Sequence, residues 1–188
     1  MPFLRKTTAR DPLAVTMSGV RMGERLLQIG VDDARLAGQL AAKVGLSGHA
    51  AMVVVDEATA SRARDGMADA GVLVDVHVAR LDSLPVDSDS FDALVVHNMN
   101  NLIASVDRQQ RTRVIGEWRR ALRMGGRIIV VEAGARGGIG SLLRSGPKID
   151  IEYEGTGGTI AALEAGGFRP VRLLGDREGF KFIEGLKT

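Results

Sequence analysis

One stretch in the first third of the chain constrains the fold more than any other. A mainly apolar run, residues 26–29, reaches Gly30, and apolar residues three and four positions apart follow it. A second apolar run, residues 51–55, then ends in Asp56. The order strand, tight turn, helix, strand and acid is typical of a βαβ nucleotide-binding unit.

Gly30 and Asp56 are the residues of this unit that are candidates for contact with a ligand. A glycine after the first strand lets the backbone approach a ligand, and the following helix N-terminus supplies free N–H groups. An acid at the end of the second strand accepts hydrogen bonds from a ribose. Each residue also has a purely structural explanation, because Gly30 suits any tight turn and Asp56 suits a helix cap. Both explanations stay open at this point.

The rest of the chain continues the alternation of strands and helices. Further strands are predicted at residues 72–78, 91–96, 127–131, 171–174 and 180–183, and further helices at residues 57–70, 107–123 and 156–165, with another helix that begins at Asp11. Gly125-Gly126 is predicted to end the helix at 107–123, and residues 149–151 are interpreted as a short strand or a loop. The last two strands flank a turn, so we expect an antiparallel pair. The pattern predicts an α/β sheet, mostly parallel, with an antiparallel edge.

Composition excludes several classes of site. The chain has no cysteine, which rules out disulfides, thiolate metal sites and cysteine nucleophiles, and its three histidines are scattered, so no metal site is predicted. A net charge of +2 is too small to indicate nucleic-acid binding. No apolar run approaches the roughly 20 residues that span a bilayer, and no signal peptide is evident. We therefore expect one domain over residues 1–188, with residues 1–10 as a flexible arm, in the cytoplasm.

The ends of the predicted strands indicate where a ligand would bind. Sheets of this kind bind ligands outside the carboxyl ends of their parallel strands. The first five strands of this chain end at Gly30, Asp56, residues 80–82, residues 97–98 and Glu132. We therefore expect these positions to surround the functional site.

Two further stretches add to this pattern. Leu84-Pro85 is followed by Ser90-Phe91-Asp92, and the segment from Glu117 to Glu132 runs from a helix through two glycines into an apolar strand and an acid. Together with residues 26–30 and Asp56, they resemble the class I S-adenosylmethionine-dependent methyltransferases, and most of all the branch of ubiquinone and menaquinone biosynthesis. The resemblance implies a Rossmann-like fold: a mostly parallel seven-stranded sheet with an antiparallel C-terminal hairpin and helices on both faces. It also implies S-adenosylmethionine as the cofactor.

The first loop of the chain departs from the pattern of that family. The family's loop reads acid-x-Gly-x-Gly-x-Gly. In this chain Gln28 replaces the acid, and Gly30 keeps the first glycine. Asp32 and Ala34 stand where the second and third glycines belong, and Asp32 brings a charge to a place where backbone should approach the ligand. The glycine-rich motif is therefore degenerate.

A further departure follows the third strand, where Arg80 aligns with the family's acid near the adenine and Asp82 lies two residues later. Two hypotheses follow from this mixture of kept and changed residues. One is a methyltransferase that uses S-adenosylmethionine and acts on an unidentified small molecule. The other is a non-catalytic methyltransferase-like domain that has lost the cofactor and serves as a binding or structural subunit with a protein partner. The oligomeric state stays open, and a domain for another nucleotide is disfavoured by the broken glycine pattern.

The resemblance assigns roles to a small set of residues. The cofactor-binding candidates are Gln28, Gly30, Asp56, Glu57, Asp82 and His97. His97, at the end of the fourth strand beside the expected methyl position, is also the catalytic candidate, as a base or an orienting group. A base helps only when the nucleophile carries a proton. Asn98 and Asn101 are candidates for positioning a polar acceptor.

Overall fold

A mostly parallel sheet forms the centre of the computed structural model, which describes residues 12–134 and 151–188. The strands are β1 Arg25–Ile29, β2 His49–Val54, β3 Asp75–Val78, β4 Phe91–Asn98, β5 Leu122–Ala133, β6 Val171–Arg177 and β7 Phe180–Leu186. The helices are α1 Leu13–Met17, α2 Ala34–Lys43, α3 Glu57–Asp69, α4 Arg108–Ala121, α5 Ile151–Gly155 and α6 Gly158–Ala165. Among the helices in these two ranges, none combines the length and the apolar character that crossing a membrane requires.

The order and direction of the strands confirm the predicted architecture. Over the described residues the sheet has seven strands in the order β3-β2-β1-β4-β5-β7-β6. β1 pairs in parallel with β2 and β4, while β3 and β5 extend the parallel part on the two sides. β7 runs antiparallel to both β5 and β6, so the last two strands form the predicted hairpin.

Helices cover both faces of the sheet, as expected. Along β1, Leu27 and Ile29 face an apolar cluster that includes residues of α4 and α6. Leu26 faces the opposite cluster, to which α1, α2 and α3 contribute. Trp118 on α4 is fully buried in the first cluster. Because both faces are covered, the central strands are apolar along most of their length.

Strand pairing moves one predicted boundary in the sheet. The strand predicted at residues 72–78 begins only at Asp75, because Asp75 is the first residue that pairs with β2, opposite Ala51. The alternating valines before it have no neighbouring strand, so their pattern overestimated the strand. Val72 instead donates a backbone hydrogen bond to the Met67 carbonyl at the end of α3.

The end of α4 also differs from the prediction. The helix ends at Ala121, whereas Gly125-Gly126 was predicted to end it, and these glycines lie inside β5. The loop before β4 supplies the reason, because the N–H groups of Asp89 and Ser90 donate to the last carbonyls of α4. Leu122 pairs with the first residue of β4, so the chain enters the sheet directly after the helix.

The starting residues of the shorter helices also differ from the predictions or lie outside the described residues. The helix predicted at residues 156–165 begins at Gly158, and Ile151 opens the short helix α5, so a strand at residues 149–151 is wrong for Ile151. Asp11, the predicted start of α1, lies outside the described residues, as do Ile149 and Asp150.

Close contact between α2 and α3 holds the loop after β1, residues 30–33, in place. This loop lies at the edge of the sheet where the parallel strands end, which we call the ligand edge. Gly38 on α2 and Gly66 on α3 are both buried where these helices cross. A Cβ on Gly66 would fall on the backbone carbonyl of Ala34, and a Cβ on Gly38 would meet the carbonyl of Gly66. Since backbone atoms cannot yield cheaply, only glycine permits this separation, and the N-terminus of α2 therefore lies directly against α3.

We predict that Gly66→Ala lowers the free energy of unfolding by about 1–3 kcal/mol, because the new methyl group overpacks a contact between two backbones. Gly116→Ala is the matched control, since Gly116 lies within helix α4 and a Cβ there would meet nothing within 4 Å. That variant should be unchanged or up to about 1 kcal/mol more stable, because alanine is the better helix former. Urea denaturation of both variants checks this, and equal stabilities would contradict the proposed contact.

Candidate functional site

Asp56 follows β2 and begins helix α3. Its Oδ1 accepts a hydrogen bond from the Thr59 N–H at 2.8 Å, and its Oδ2 accepts one from the Thr59 hydroxyl at 2.9 Å. These bonds, the backbone one foremost, lower the pKa of Asp56, so the carboxylate is charged at neutral pH. The side chain is exposed. Asp56 therefore caps helix α3. Its ionised carboxylate still has lone pairs that could accept from ribose hydroxyls.

Glu57, the next candidate, lies on the first turn of α3. Its carboxylate pairs with the Arg64 guanidinium on the same helix, and both side chains are exposed. Glu57 does not line the cleft described next. A cofactor-binding role for Glu57 stays a prediction.

An open cleft of about 480 Å³ lies beside the ends of β2 and β3. It is lined by Val55, Ala79, Arg80, Leu81, Asp82, Val106, Gln110 and Val114. Most of these side chains are apolar, and Val55, next to Asp56, is 55% exposed although it is a large aliphatic residue. An apolar cleft with a few polar groups is the usual form of a small-ligand site.

Arg80 and Asp82 form a bidentate ion pair at this cleft. The Arg80 Nε and Nη2 atoms donate to the two carboxylate oxygens of Asp82 at 2.9 and 2.8 Å. This contact lowers the pKa of Asp82, and Arg80 itself is exposed. The arginine that aligns with the family's acid therefore does not leave the cleft with a net positive charge, because Asp82 neutralises it.

Gly30 directly follows β1 and has a conformation that favours glycine. Its φ angle is +72°, and its N–H donates to the Val53 carbonyl at 2.9 Å. A Cβ at this position would lie 3.1 Å from the Leu102 Cδ2 atom and 3.4 Å from the His97 carbonyl oxygen. Both the turn and the close approach of the β4–α4 loop therefore require glycine here.

Gln28 and His97 form a buried pair on neighbouring strands. The His97 Nε2 and Gln28 Oε1 atoms are 2.9 Å apart, and the Gln28 amide donates to the Ala37 carbonyl in α2 at 3.0 Å. Because the Gln28 amide nitrogen is already a donor, the Nε2–H of His97 donates to Gln28. Burial lowers the pKa of His97 to about 4, so the ring is neutral at neutral pH. Neither side chain lines the cleft at β2 and β3, and their predicted contact with the cofactor stays a prediction.

Asp32 joins the loop after β1 to the loop after β4, which is far from it in the sequence. Its Oδ2 accepts from the Met99 N–H at 2.7 Å, and its Oδ1 accepts from the Asn100 side-chain amide at 2.8 Å. Although Asp32 stands where the family has a glycine, its φ angle is not among the positive values of non-glycine residues in the described part of the chain, so its backbone is unstrained. Asp33, its neighbour, caps α2 through the N–H groups of the first helical turn.

A buried polar network lies at the ends of β4 and β5. The Glu132 Oε2 atom accepts from the Asn98 amide at 2.9 Å and from the Thr159 hydroxyl, and Glu132 Oε1 lies 3.0 Å from the Lys181 Nζ atom. The Tyr153 hydroxyl donates to Thr159 at 3.1 Å, and burial raises the pKa of Tyr153 to about 12. Asn98 and Glu132 could be identified from the sequence, whereas Thr159, Lys181 and Tyr153 could not. A buried acid after an apolar strand was the one available signal that such partners exist.

The structure thus divides the candidate residues into two groups. Asp82 lines the cleft, and Asp56 directly follows Val55, which also lines it. Gln28 and His97 instead pair with each other on β1 and β4, near the turn at Gly30. Within residues 12–134 and 151–188, no group of three or more histidine, cysteine, aspartate or glutamate residues is arranged to hold a metal ion.

The chain matches a known protein family over more than half of its length. A family model described as "Methyltransferase domain" matches residues 26–126. Among curated proteins, the ubiquinone/menaquinone biosynthesis C-methyltransferases UbiE of Idiomarina loihiensis and Chromobacterium violaceum are 27% and 29% identical over 120 and 119 residues. Each alignment covers 63% of this chain and 46% of the relative, so the chain spans less than half the length of these relatives.

Solved structures share the fold. A SAM dependent methyltransferase from Aquifex aeolicus superposes with a TM-score of 0.71 at 17% identity, over 93% of this chain and 87% of that one. A SAM-dependent O-methyltransferase from Thermotoga maritima gives a TM-score of 0.66 at 17% identity, over 93% and 63% of the two chains. The seven-stranded sheet with its antiparallel hairpin is therefore the fold of these proteins.

We predict that His97 makes stability depend on pH between 6.5 and 4. In this range the unfolded chain binds a proton at His97 while the folded chain does not, so the free energy of unfolding falls as the pH is lowered. From pH 7 to pH 5 the loss from this residue is about 2 kcal/mol. Urea denaturation of wild type and His97→Gln at both pH values checks this, because the variant lacks that loss. Parallel pH profiles for the two proteins would contradict it.

Proposed function

Because the chain belongs to the methyltransferase domain family, we propose that it transfers a methyl group from S-adenosylmethionine to a small-molecule acceptor. The observation that carries the proposal is the cleft lined by Val55, which offers apolar walls and the Asp82 carboxylate, while the exposed Asp56 directly follows Val55 in the chain. Apolar walls suit a purine, a carboxylate accepts hydrogen bonds from an exocyclic amine, and a second carboxylate accepts them from ribose hydroxyls.

The residues present fit the adenosyl part of the cofactor. Val55 and Leu81 would contact the adenine ring, and Asp82 would accept from its amine. Asp56 would bind the ribose with the lone pairs that Thr59 leaves available. S-adenosylmethionine supplies an electrophilic methyl group on a sulfonium. Transfer of that group needs an acceptor that is held in line and shielded from water, so the protein contributes mainly by positioning.

In this proposal Gln28 and His97 stabilise the ends of β1 and β4 next to the site. The buried His97–Gln28 hydrogen bond links β4 to β1, and Gln28 extends the link to α2 through Ala37. The neutral ring thereby holds the strand end that precedes the β4–α4 loop. Of the two roles expected for His97, this geometry supports the orienting group, because the ring is almost completely buried and burial lowers its pKa to about 4, which makes it a weak base at neutral pH.

The acceptor belongs on the same edge of the sheet, past the ends of β4 and β5. Asn98 is 2% exposed and both ends of its side chain are bonded, to Glu132 and to the Ile103 N–H, so it shapes the wall of this region. The relatives named for ubiquinone and menaquinone biosynthesis are more than twice as long as the matched segment. We therefore propose a small-molecule acceptor without naming it.

We predict that Asp56→Ser weakens the binding of S-adenosylhomocysteine about tenfold, because a hydrogen-bonding carboxylate is lost. Serine still caps a helix, so the stability of this variant should stay close to that of wild type. Asp56→Ala should weaken binding equally and also cost about 1 kcal/mol of stability, because it removes the cap. Calorimetric titration and urea denaturation of the three proteins measure the two effects separately.

The same titration distinguishes the two hypotheses. Unchanged affinity in Asp56→Ser would mean that Asp56 only caps α3. Failure of a well-folded wild type to bind either S-adenosylmethionine or S-adenosylhomocysteine would contradict the proposed reaction and favour the non-catalytic subunit. Asp65→Asn serves as the charge control, because Asp65 is exposed on α3 and has no hydrogen bond or ion pair among the described residues.

A further inference from the structure

One side chain joins the first loop of the ligand edge to the loop that follows β4. Asp32, two residues after Gly30, accepts hydrogen bonds from the Met99 backbone at 2.7 Å and from the Asn100 amide at 2.8 Å. We call this set of contacts the Asp32 clasp. β1 and β4 are neighbours in the sheet, with Ile29 opposite Val96, so the clasp closes the gap between their loops.

The clasp lies at the ends of β1 and β4, whereas the open cleft lies at the ends of β2 and β3. A ligand that places its base in the cleft and its sugar at Asp56 extends from there toward Gly30. At Gly30 the Leu102 side chain already lies close to the backbone, and Asp32 holds the loop that carries Leu102. The loop that follows β4 is therefore held against Gly30, on the side toward which such a ligand would extend.

The chemistry of the clasp shows what can replace it. A carboxylate accepting an N–H is a charge-assisted hydrogen bond, which is stronger than a neutral one, and the Asp32 side chain is half-buried. The Met99 N–H, in turn, is a donor that any other carboxylate could use. The amino-acid end of S-adenosylmethionine carries such a carboxylate, whereas 5′-methylthioadenosine has the same adenosyl group and no amino-acid end.

We propose that the Asp32 clasp is a gate over the methionyl half of the cofactor site, and that it opens when the cofactor's carboxylate takes the Met99 N–H from Asp32. This inference rests on the proposed function. In the closed state the cleft accepts an adenosyl group alone. The full cofactor binds only the fraction of molecules in which the clasp is open, and its apparent affinity is reduced by that fraction.

The test compares two ligands and three variants by calorimetric titration. Asp32→Gly removes both hydrogen bonds and should bind S-adenosylhomocysteine roughly tenfold more tightly than wild type, because no molecules are held closed. Asp32→Asn keeps the size but not the charge and should show a smaller gain. The affinity for 5′-methylthioadenosine should stay the same in both variants. Asp65→Asn, which removes an exposed acid that lines the same outer surface as Asp32, should change neither affinity.

Hydrogen exchange at the Met99 amide gives a readout that does not depend on binding. The amide should be protected in wild type and exchange faster in Asp32→Gly, because its acceptor is gone. Equal affinities of wild type and Asp32→Gly for S-adenosylhomocysteine would overturn the gate alone, as would an equal gain for 5′-methylthioadenosine. If neither protein binds either adenosyl ligand, the proposed function fails and the gate fails with it.

Discussion

Parallel pairing on both edges of β1 is the constraint on which the rest of the structure depends. Ile29, the last residue of β1, lies opposite Val53 on one side and Val96 on the other. Leu26 and Leu27 are fully buried on opposite faces of the sheet, so a shift of one residue would exchange two apolar cores. The register is therefore strongly specified, and it places the loops after β1, β2 and β4 side by side.

The polar interior of the sheet follows from that register. Gln28 and His97 lie on adjacent strands, and each is almost completely buried. An amide donates and accepts at the same time, so Gln28 satisfies both the α2 carbonyl and the His97 ring without carrying a charge. A carboxylate at this position would have to be desolvated, which raises its free energy unless it is paired. The substitution in the glycine-rich motif thus has a structural explanation within this chain.

Three carboxylates at the ligand edge have different partners, and the partners determine what each can do. Asp56 is held by Thr59 on its own helix and stays exposed, which leaves it available to a ligand. Asp82 is neutralised by Arg80 at the cleft, so the cleft carries a polar group without a net charge. Asp32 accepts hydrogen bonds that join the loop after β1 to the loop after β4, and burial raises its pKa. The edge accordingly has an open cleft beside β2 and β3, and hydrogen bonds join the loops that follow β1 and β4.

The sequence by itself determined the order of the elements, the buried strands and the direction of the hairpin. Its apolar periodicity indicates which residues are buried. The motifs between residues 26 and 132 are local patterns, so they can be recognised without knowing which residues are in contact. The same periodicity failed at residues 72–74, which have no neighbouring strand to pair with. It also failed at the end of α4, because Leu122 pairs with β4 and leaves the helix.

Only the tertiary structure decided which polar residues meet. Gln28 and His97 are 69 positions apart, and Asp32 and Met99 are 67 positions apart. No local pattern relates such pairs, because their contact depends on strand register and on the packing of loops from different parts of the chain. The sequence could therefore place the candidate residues at one edge of the sheet, while the hydrogen bonds between those residues follow from the three-dimensional packing.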